Sequence, residues 1–153
     1  MIPTGACTFD DSLWPLMVVR LTGELSPQQF EDYLSRSTRS MERQEPHVCI
    51  FDVSELRLMS LEQRHRQVEW LKQNEVLMRQ TVLGMAYLVT SPPVRLMMGV
   101  IFHFKPPPVS YAIVSRLDAA AAWAAMRLEE AGLQAPAERV RRRFSLRPEA
   151  RGT

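Results

Sequence analysis

Residues 48–53 form a run that is apolar at five of its six positions, Val48-Cys49-Ile50-Phe51-Asp52-Val53. An unbroken apolar run of this length is typical of a strand that is buried on both faces, as in a parallel sheet. Pro46 separates the run from the preceding segment. Asp52 comes near its end, and the carboxyl ends of parallel strands are where ligands bind. The run therefore predicts a central strand of an α/β sheet.

Strand and helix patterns alternate on both sides of this run. Further strands are predicted over residues 13–21, 82–89 and 109–114, with a short one over 9–11. Because right-handed crossovers turn such an alternation into an open sheet, we predict one α/β domain over residues 8–133. Its sheet is expected to be mainly parallel, with four to five strands that alternate with four helices.

Serines and an aspartate mark three of the predicted helix starts. Ser26 precedes Pro27, Ser60 opens the second helix, and Asp118 opens the last, and such residues cap helix N-termini. The second helix is predicted to run to about Arg79. Its packed stripe is expected to contain four residues, Leu61, His65, Val68 and either Leu71 or Lys72.

The C-terminal residues differ in composition from the rest of the chain. The formal net charge is +2, yet six arginines fall within residues 139–153. From residue 134 onward alanine, proline and arginine dominate without periodicity. We therefore predict that residues 134–153 form a basic, flexible tail. The tail has few aromatic side chains, so specific nucleic-acid binding is not predicted.

Several classes of protein are disfavoured by the sequence. Cys7 and Cys49 are far apart, and no N-terminal signal or run of about 18 apolar residues occurs. The chain is therefore expected to be cytoplasmic, without a membrane span. No His or Cys pair has metal-ligand spacing, and neither a nucleophile elbow nor a glycine-rich phosphate loop is present. We predict a protein that is not an enzyme and has no cofactor.

Several motifs resemble the STAS and SpoIIAA-like group of anti-sigma-factor antagonists and their uncharacterised bacterial relatives. The similarity includes the Asp-x-Ser element Asp52-Val53-Ser54 and a set of further residues, Arg64, Arg66, Trp70, Ser91, Pro92, Arg95 and residues 106–108. In the antagonists, a serine pair and a glycine follow at the next helix start, where a kinase phosphorylates one serine. Here that position reads Ser60-Leu61-Glu62-Gln63. The resemblance implies the fold but not the phosphorylation switch.

Two functions remain open from the sequence. The third helix, over residues 94–104, is apolar almost all round and must be covered on more than one side. The first hypothesis is a regulatory or scaffolding module that docks a protein partner or a second copy, with five contact residues, Arg64, Arg66, Met97, Met98 and Phe102. The alternative is a carrier or sensor of a small molecule or lipid, bound at the sheet rim by Asp52, Ser54, Ser91 and Arg95.

Overall fold

The structure is a computed structural model that describes residues 5–146. The strands in this range are β1 Ala6–Leu13, β2 Leu16–Gly23, β3 His47–Leu56, β4 Val82–Leu88 and β5 Tyr111–Val114. The helices are α1 Pro27–Glu42, α2 Leu61–Gln73, α3 Glu75–Thr81, α4 Pro92–Phe104, α5 Leu117–Glu130 and α6 Gln134–Arg143.

The five strands form one sheet in which each strand pairs with its neighbour in the chain, in the order β1-β2-β3-β4-β5. β1 is antiparallel to β2, and the other three pairs are parallel. β3, predicted from the apolar run, lies at the centre of the sheet. The predicted fold class, a mainly parallel α/β sheet, is confirmed.

The sheet separates two hydrophobic cores. Side chains alternate along β3, so that Cys49, Phe51 and Val53 face one core while Val48 and Ile50 face the other. Helices α1, α2, α3 and α4 cover the first core, and α5 and α6 cover the second. The helices in contact with the second core contribute mainly alanines, whose small side chains let α5 approach the sheet closely.

The predicted helix starts at Ser26 and Ser60 agree with the structure. The Ser26 hydroxyl accepts a hydrogen bond from the Gln29 N–H at 3.1 Å, and the Gln29 side chain accepts one from the Ser26 N–H. Ser60 and Gln63 form the same reciprocal pair at the start of α2. Each capping box satisfies backbone donors that the first helical turn leaves unpaired.

The long second helix predicted from the sequence is two helices, α2 and α3. They meet at Asn74, whose backbone angles are φ −108° and ψ 10°. The Trp70 carbonyl accepts hydrogen bonds from both the Asn74 backbone N–H, at 3.0 Å, and the Asn74 side-chain amide, at 2.9 Å. Such a local side-chain bond competes with continuation of the helix.

The strand predicted over residues 13–21 differs from the observed strands, because Trp14 and Pro15 form a turn between β1 and β2.

The prediction of a flexible tail from residue 134 onward is wrong for residues 134–143, because these residues form α6. Ala137 and Val140 lie one turn apart and are fully buried in the second core. Arg141 forms an ion pair with Glu129 of α5 at 2.6 Å. A single apolar stripe among many arginines is therefore enough to dock this helix. Residues 147–153 of the predicted tail lie outside the described part of the chain.

Candidate functional site

Helix α4 carries apolar side chains on two opposite faces. Ser91 caps its start and prolines occupy its first two positions. Its inner face packs in the first core through Val94, Met97, Met98 and Ile101. Its outer face, defined here by Leu96, Val100 and Phe104, is exposed to solvent by 72%, 43% and 71%. An apolar outer face of this kind is a candidate contact surface for another molecule.

Two of the predicted partner-binding residues are on the wrong face of α4. Met97 and Met98 are buried in the first core, so they cannot contact a partner in this structure. Phe102 is half-buried, and its ring packs against those of Tyr87 and Tyr111 at centroid distances of 5.3 Å. The exposed residues are instead Leu96, Val100 and Phe104. Because α4 is apolar all round, its periodicity does not reveal which side faces the sheet.

The two arginines of α2 that were predicted to bind a partner differ in their contacts within the chain. Arg66 donates from Nε to Glu31 of α1 at 2.9 Å. Arg64 is half-buried, and its Nε has no hydrogen-bond partner among the described residues. The structure therefore uses Arg66 to tie α2 to α1.

The predicted packed stripe of α2 is wrong in part. Leu61 and His65 are exposed, whereas Trp70 and Leu71 are buried. The Trp70 indole N–H donates to the Thr38 hydroxyl of α1 at 3.0 Å. This contact turns α2 so that its C-terminal half, rather than its first turn, is packed against α1.

An apolar cavity of about 60 Å³ lies beneath α4. The sheet contributes Phe51, Val53 and Met85 to its wall, and the inner face of α4 contributes Met97 and Met98. The cavity arises from how the helices and the sheet meet, so no local sequence motif predicts its position.

The cavity also has a few polar groups in its wall, Tyr33, Gln67 and Tyr87. Burial raises the pKa of both tyrosines. A side-chain hydrogen bond with Gln67 offsets part of this rise for Tyr33. Both phenols therefore stay neutral and can donate hydrogen bonds. The composition of this wall matches that of small-molecule sites, but the volume is well below the roughly 300–1,000 Å³ that such sites have.

Of the four residues predicted to bind a ligand at the sheet rim, only Asp52 and Ser54 form a hydrogen bond between their side chains. The Asp52 carboxylate accepts from Arg20 Nε at 3.0 Å, and from the Ser54 hydroxyl at 2.6 Å. The Ser54 backbone N–H donates to the same carboxylate at 3.0 Å. These bonds occupy both carboxylate oxygens, so Asp52 and Ser54 form a closed structural cluster.

Ser91 and Arg95 are not part of that cluster. The Ser91 hydroxyl faces the Val94 N–H as the cap of α4. Arg95 is exposed and borders a shallow depression on the outer face together with Leu96 and Val100. None of the four predicted rim residues lines the apolar cavity. The four residues predicted to bind a small molecule or lipid at the sheet rim therefore do not form one site in the described structure.

Residues 5–146 contain neither a metal-binding cluster nor a membrane-spanning helix. No group of three or more His, Cys, Asp or Glu side chains in this range is arranged to hold a metal ion. None of the helices described has the length and apolar character needed to cross a bilayer.

Comparisons with known proteins identify similarity to a solved structure but to no family model. No protein-family model matches the chain, and no curated protein matches it. A solved structure does match: an uncharacterised protein of the DUF3478 family with a SpoIIAA-like fold, from Shewanella loihica PV-4. The two share 14% sequence identity with a TM-score of 0.60, over 81% of this chain and 96% of the other. The chain has a SpoIIAA-like fold. The resemblance predicted from the sequence is confirmed at the level of the fold.

In this SpoIIAA-like fold, Ser60 lies at the start of α2, which corresponds to the helix start where the resemblance places a serine pair. Its hydroxyl accepts a hydrogen bond from the Gln63 N–H at 3.1 Å, and the residue is exposed. The hydroxyl therefore acts as a helix cap. Glu62 follows in the first turn of α2, where a negative charge is favoured by the helix dipole.

Proposed function

We propose that this protein is a non-enzymatic regulatory module that acts by docking a protein chain on the outer face of α4. The observation that carries the proposal is the exposure of Leu96, Val100 and Phe104 on a helix whose opposite face is already buried. The SpoIIAA-like fold supports it, because the resemblance is to a group that regulates other proteins by contact.

A second copy of the chain is the partner that the surface favours. Gly99 lies in the middle of the outer face, and a Cβ added there would have no neighbour within 4 Å. The absence of a side chain allows another helix to approach closely, while Leu96 and Val100 on either side supply apolar area. Two copies of α4 related by a two-fold axis would cover each other's exposed face.

Replacing Leu96 and Val100 together by glutamate is expected to dissociate this dimer. Burying two carboxylates at a helix contact should raise the dimer dissociation constant by at least about thirtyfold, equivalent to ~2 kcal/mol. Native mass spectrometry of the full chain at low micromolar concentration measures the ratio of dimer to monomer.

The matched control is Val76→Glu, since Val76 is 70% exposed on α3 and outside the outer face of α4. The control should keep the dimer, and the circular dichroism spectrum of each variant should match the wild-type spectrum, which shows that the variants are folded. A wild-type protein that is monomeric and carries no second chain would contradict the proposal, as would equal dissociation by Val76→Glu.

The apolar cavity favours a second candidate function, a carrier or sensor of an apolar small molecule. The cavity lies under α4, and its volume of about 60 Å³ leaves unfilled space in an otherwise packed core. A larger ligand would need α4 to move outward. The ligand would be apolar rather than anionic, because Arg95 does not line the cavity.

Val53→Leu tests this candidate by filling part of the cavity with one more methylene group. We expect a discrete ligand mass on the wild-type protein purified from its host, and a lower occupancy of that mass in Val53→Leu. Val18→Leu is the control, because Val18 packs on the opposite face of the sheet. Arg95→Ala should also keep the ligand mass. The candidate is rejected if no mass is found or if Val18→Leu loses it equally.

A further inference from the structure

A second, polar groove lies between α1 and the β1–β2 hairpin, away from α4. It has a volume of about 290 Å³, close to the lower end of the range for small-ligand sites, roughly 300–1,000 Å³. We call it the arginine groove, and its wall includes Phe9, Asp11, Arg36, Arg39, Ser40 and Arg43. The arginines recur at helical spacing, so one face of α1 directs three guanidinium groups toward the same space.

Aromatic rings hold two of these guanidinium groups in place. The Arg36 guanidinium lies over the Phe9 ring at 4.5 Å from its centroid, and that of Arg43 lies over the Trp14 ring at 4.1 Å. Stacking uses the flat face of a guanidinium and leaves N–H donors at its edge. Side chains that are already ordered lose less entropy when they bind a ligand.

The third arginine is free to bind. Arg39 is exposed and forms no ion pair with any residue between 5 and 146. Arg43 donates to Asp11 at 2.8 Å, and Arg36 makes only a long contact with Asp32, at 3.7 Å. The lining residues therefore carry three positive charges and one negative charge, a balance of +2 (3 − 1).

We propose that the arginine groove binds a small molecule that carries a phosphate monoester group. Such a group has a charge of about −1.5 to −2 at neutral pH, which matches the balance of the groove. Its three oxygens accept hydrogen bonds in the geometry that guanidinium edges offer. Arg39 would make the primary contact, and Arg36 would make a second contact from its position over Phe9.

Isothermal titration calorimetry of the full chain with glycerol 3-phosphate tests this site. We expect saturable binding of one ligand per chain at millimolar concentrations or below. Arg39→Gln should weaken binding at least about tenfold, because a charge-assisted hydrogen bond is lost. Arg57→Gln is the control, since Arg57 is exposed and outside the groove. Arg39 is on the surface, so its variant should melt at the wild-type temperature.

The pH profile separates phosphate recognition from general attraction of anions. Binding of glycerol 3-phosphate should strengthen as pH rises through about 6, where the phosphate gains its second charge. Sulfate at the same ionic strength has no such transition, so its binding should not strengthen across this pH range. The proposal is overturned by an absence of saturable binding, by a glycerol 3-phosphate pH profile as flat as that of sulfate, or by equal weakening in Arg39→Gln and Arg57→Gln.

Discussion

Met98→Asp is expected to unfold the protein, whereas Leu96→Asp, two residues earlier on the same helix, should leave it folded. Met98 is 6% exposed and packs in the first core, while Leu96 is 72% exposed. A carboxylate at position 98 would lose its hydration without gaining a partner, and the methionine packing would also be lost. We expect the free energy of unfolding to fall by at least about 3 kcal/mol. The change at position 96 should stay within about 1 kcal/mol.

Urea denaturation followed by circular dichroism measures both changes. The comparison also affects how docking experiments are interpreted, because a lost partner in Met98→Asp would report unfolding rather than a lost contact. A folded Met98→Asp protein with wild-type stability would mean that the inner face of α4 is not buried in solution.

Gly84→Val is expected to have the next largest effect, through a clash on the opposite face of the sheet. A Cβ added at Gly84 would lie 2.6 Å from Cη2 and 3.0 Å from Cζ3 of the Trp123 ring. The neighbouring Arg127 donates to the Leu83 carbonyl at 2.8 Å and 3.1 Å, which restricts movement of α5. We expect Gly84→Ala to lower the free energy of unfolding by about 1–3 kcal/mol, and Gly84→Val by more.

Gly99→Ala is the matched control for the substitution at Gly84. Gly99 lies within α4, and a Cβ there meets no atom within 4 Å. Because alanine favours helix over glycine by about 0.5–1 kcal/mol, this variant should be slightly more stable than wild type. Thermal melts of the two alanine variants should therefore shift in opposite directions. Unchanged stability of Gly84→Ala would show that Trp123 moves aside without cost.

Local patterns predict much of this fold. The apolar run of β3 identified a central strand, and Ser26 and Ser60 identified two helix starts, because each signal lies within a few neighbouring residues. The break at Asn74 and the docking of α6 were not predicted. Ala137 and Val140 supply only one short apolar stripe among arginines, and its burial depends on α5 being present.

The sites were harder to predict because they depend on which elements meet. Asp52 and Ser54 are two residues apart, so their contact follows from the sequence. Their third partner, Arg20, is paired opposite Asp52 by the register between β2 and β3, which no local pattern gives. The sequence could not show which face of α4 is buried, because the exposed Leu96 and the buried Met97 have similar hydrophobicity.

The division of helices between the two faces of the sheet has a consequence for synthesis of the protein. Domains generally fold as units during synthesis, and the N-terminal part of the chain is made first. Helices α1 to α4 all cover the first face, so the second face, with Leu16, Val48, Ile50 and Ala86, has no cover until α5 and α6 are made. A chain that ended before α5 would therefore expose this apolar surface to solvent. The C-terminal helices thus bury the face of the sheet that the rest of the fold leaves uncovered.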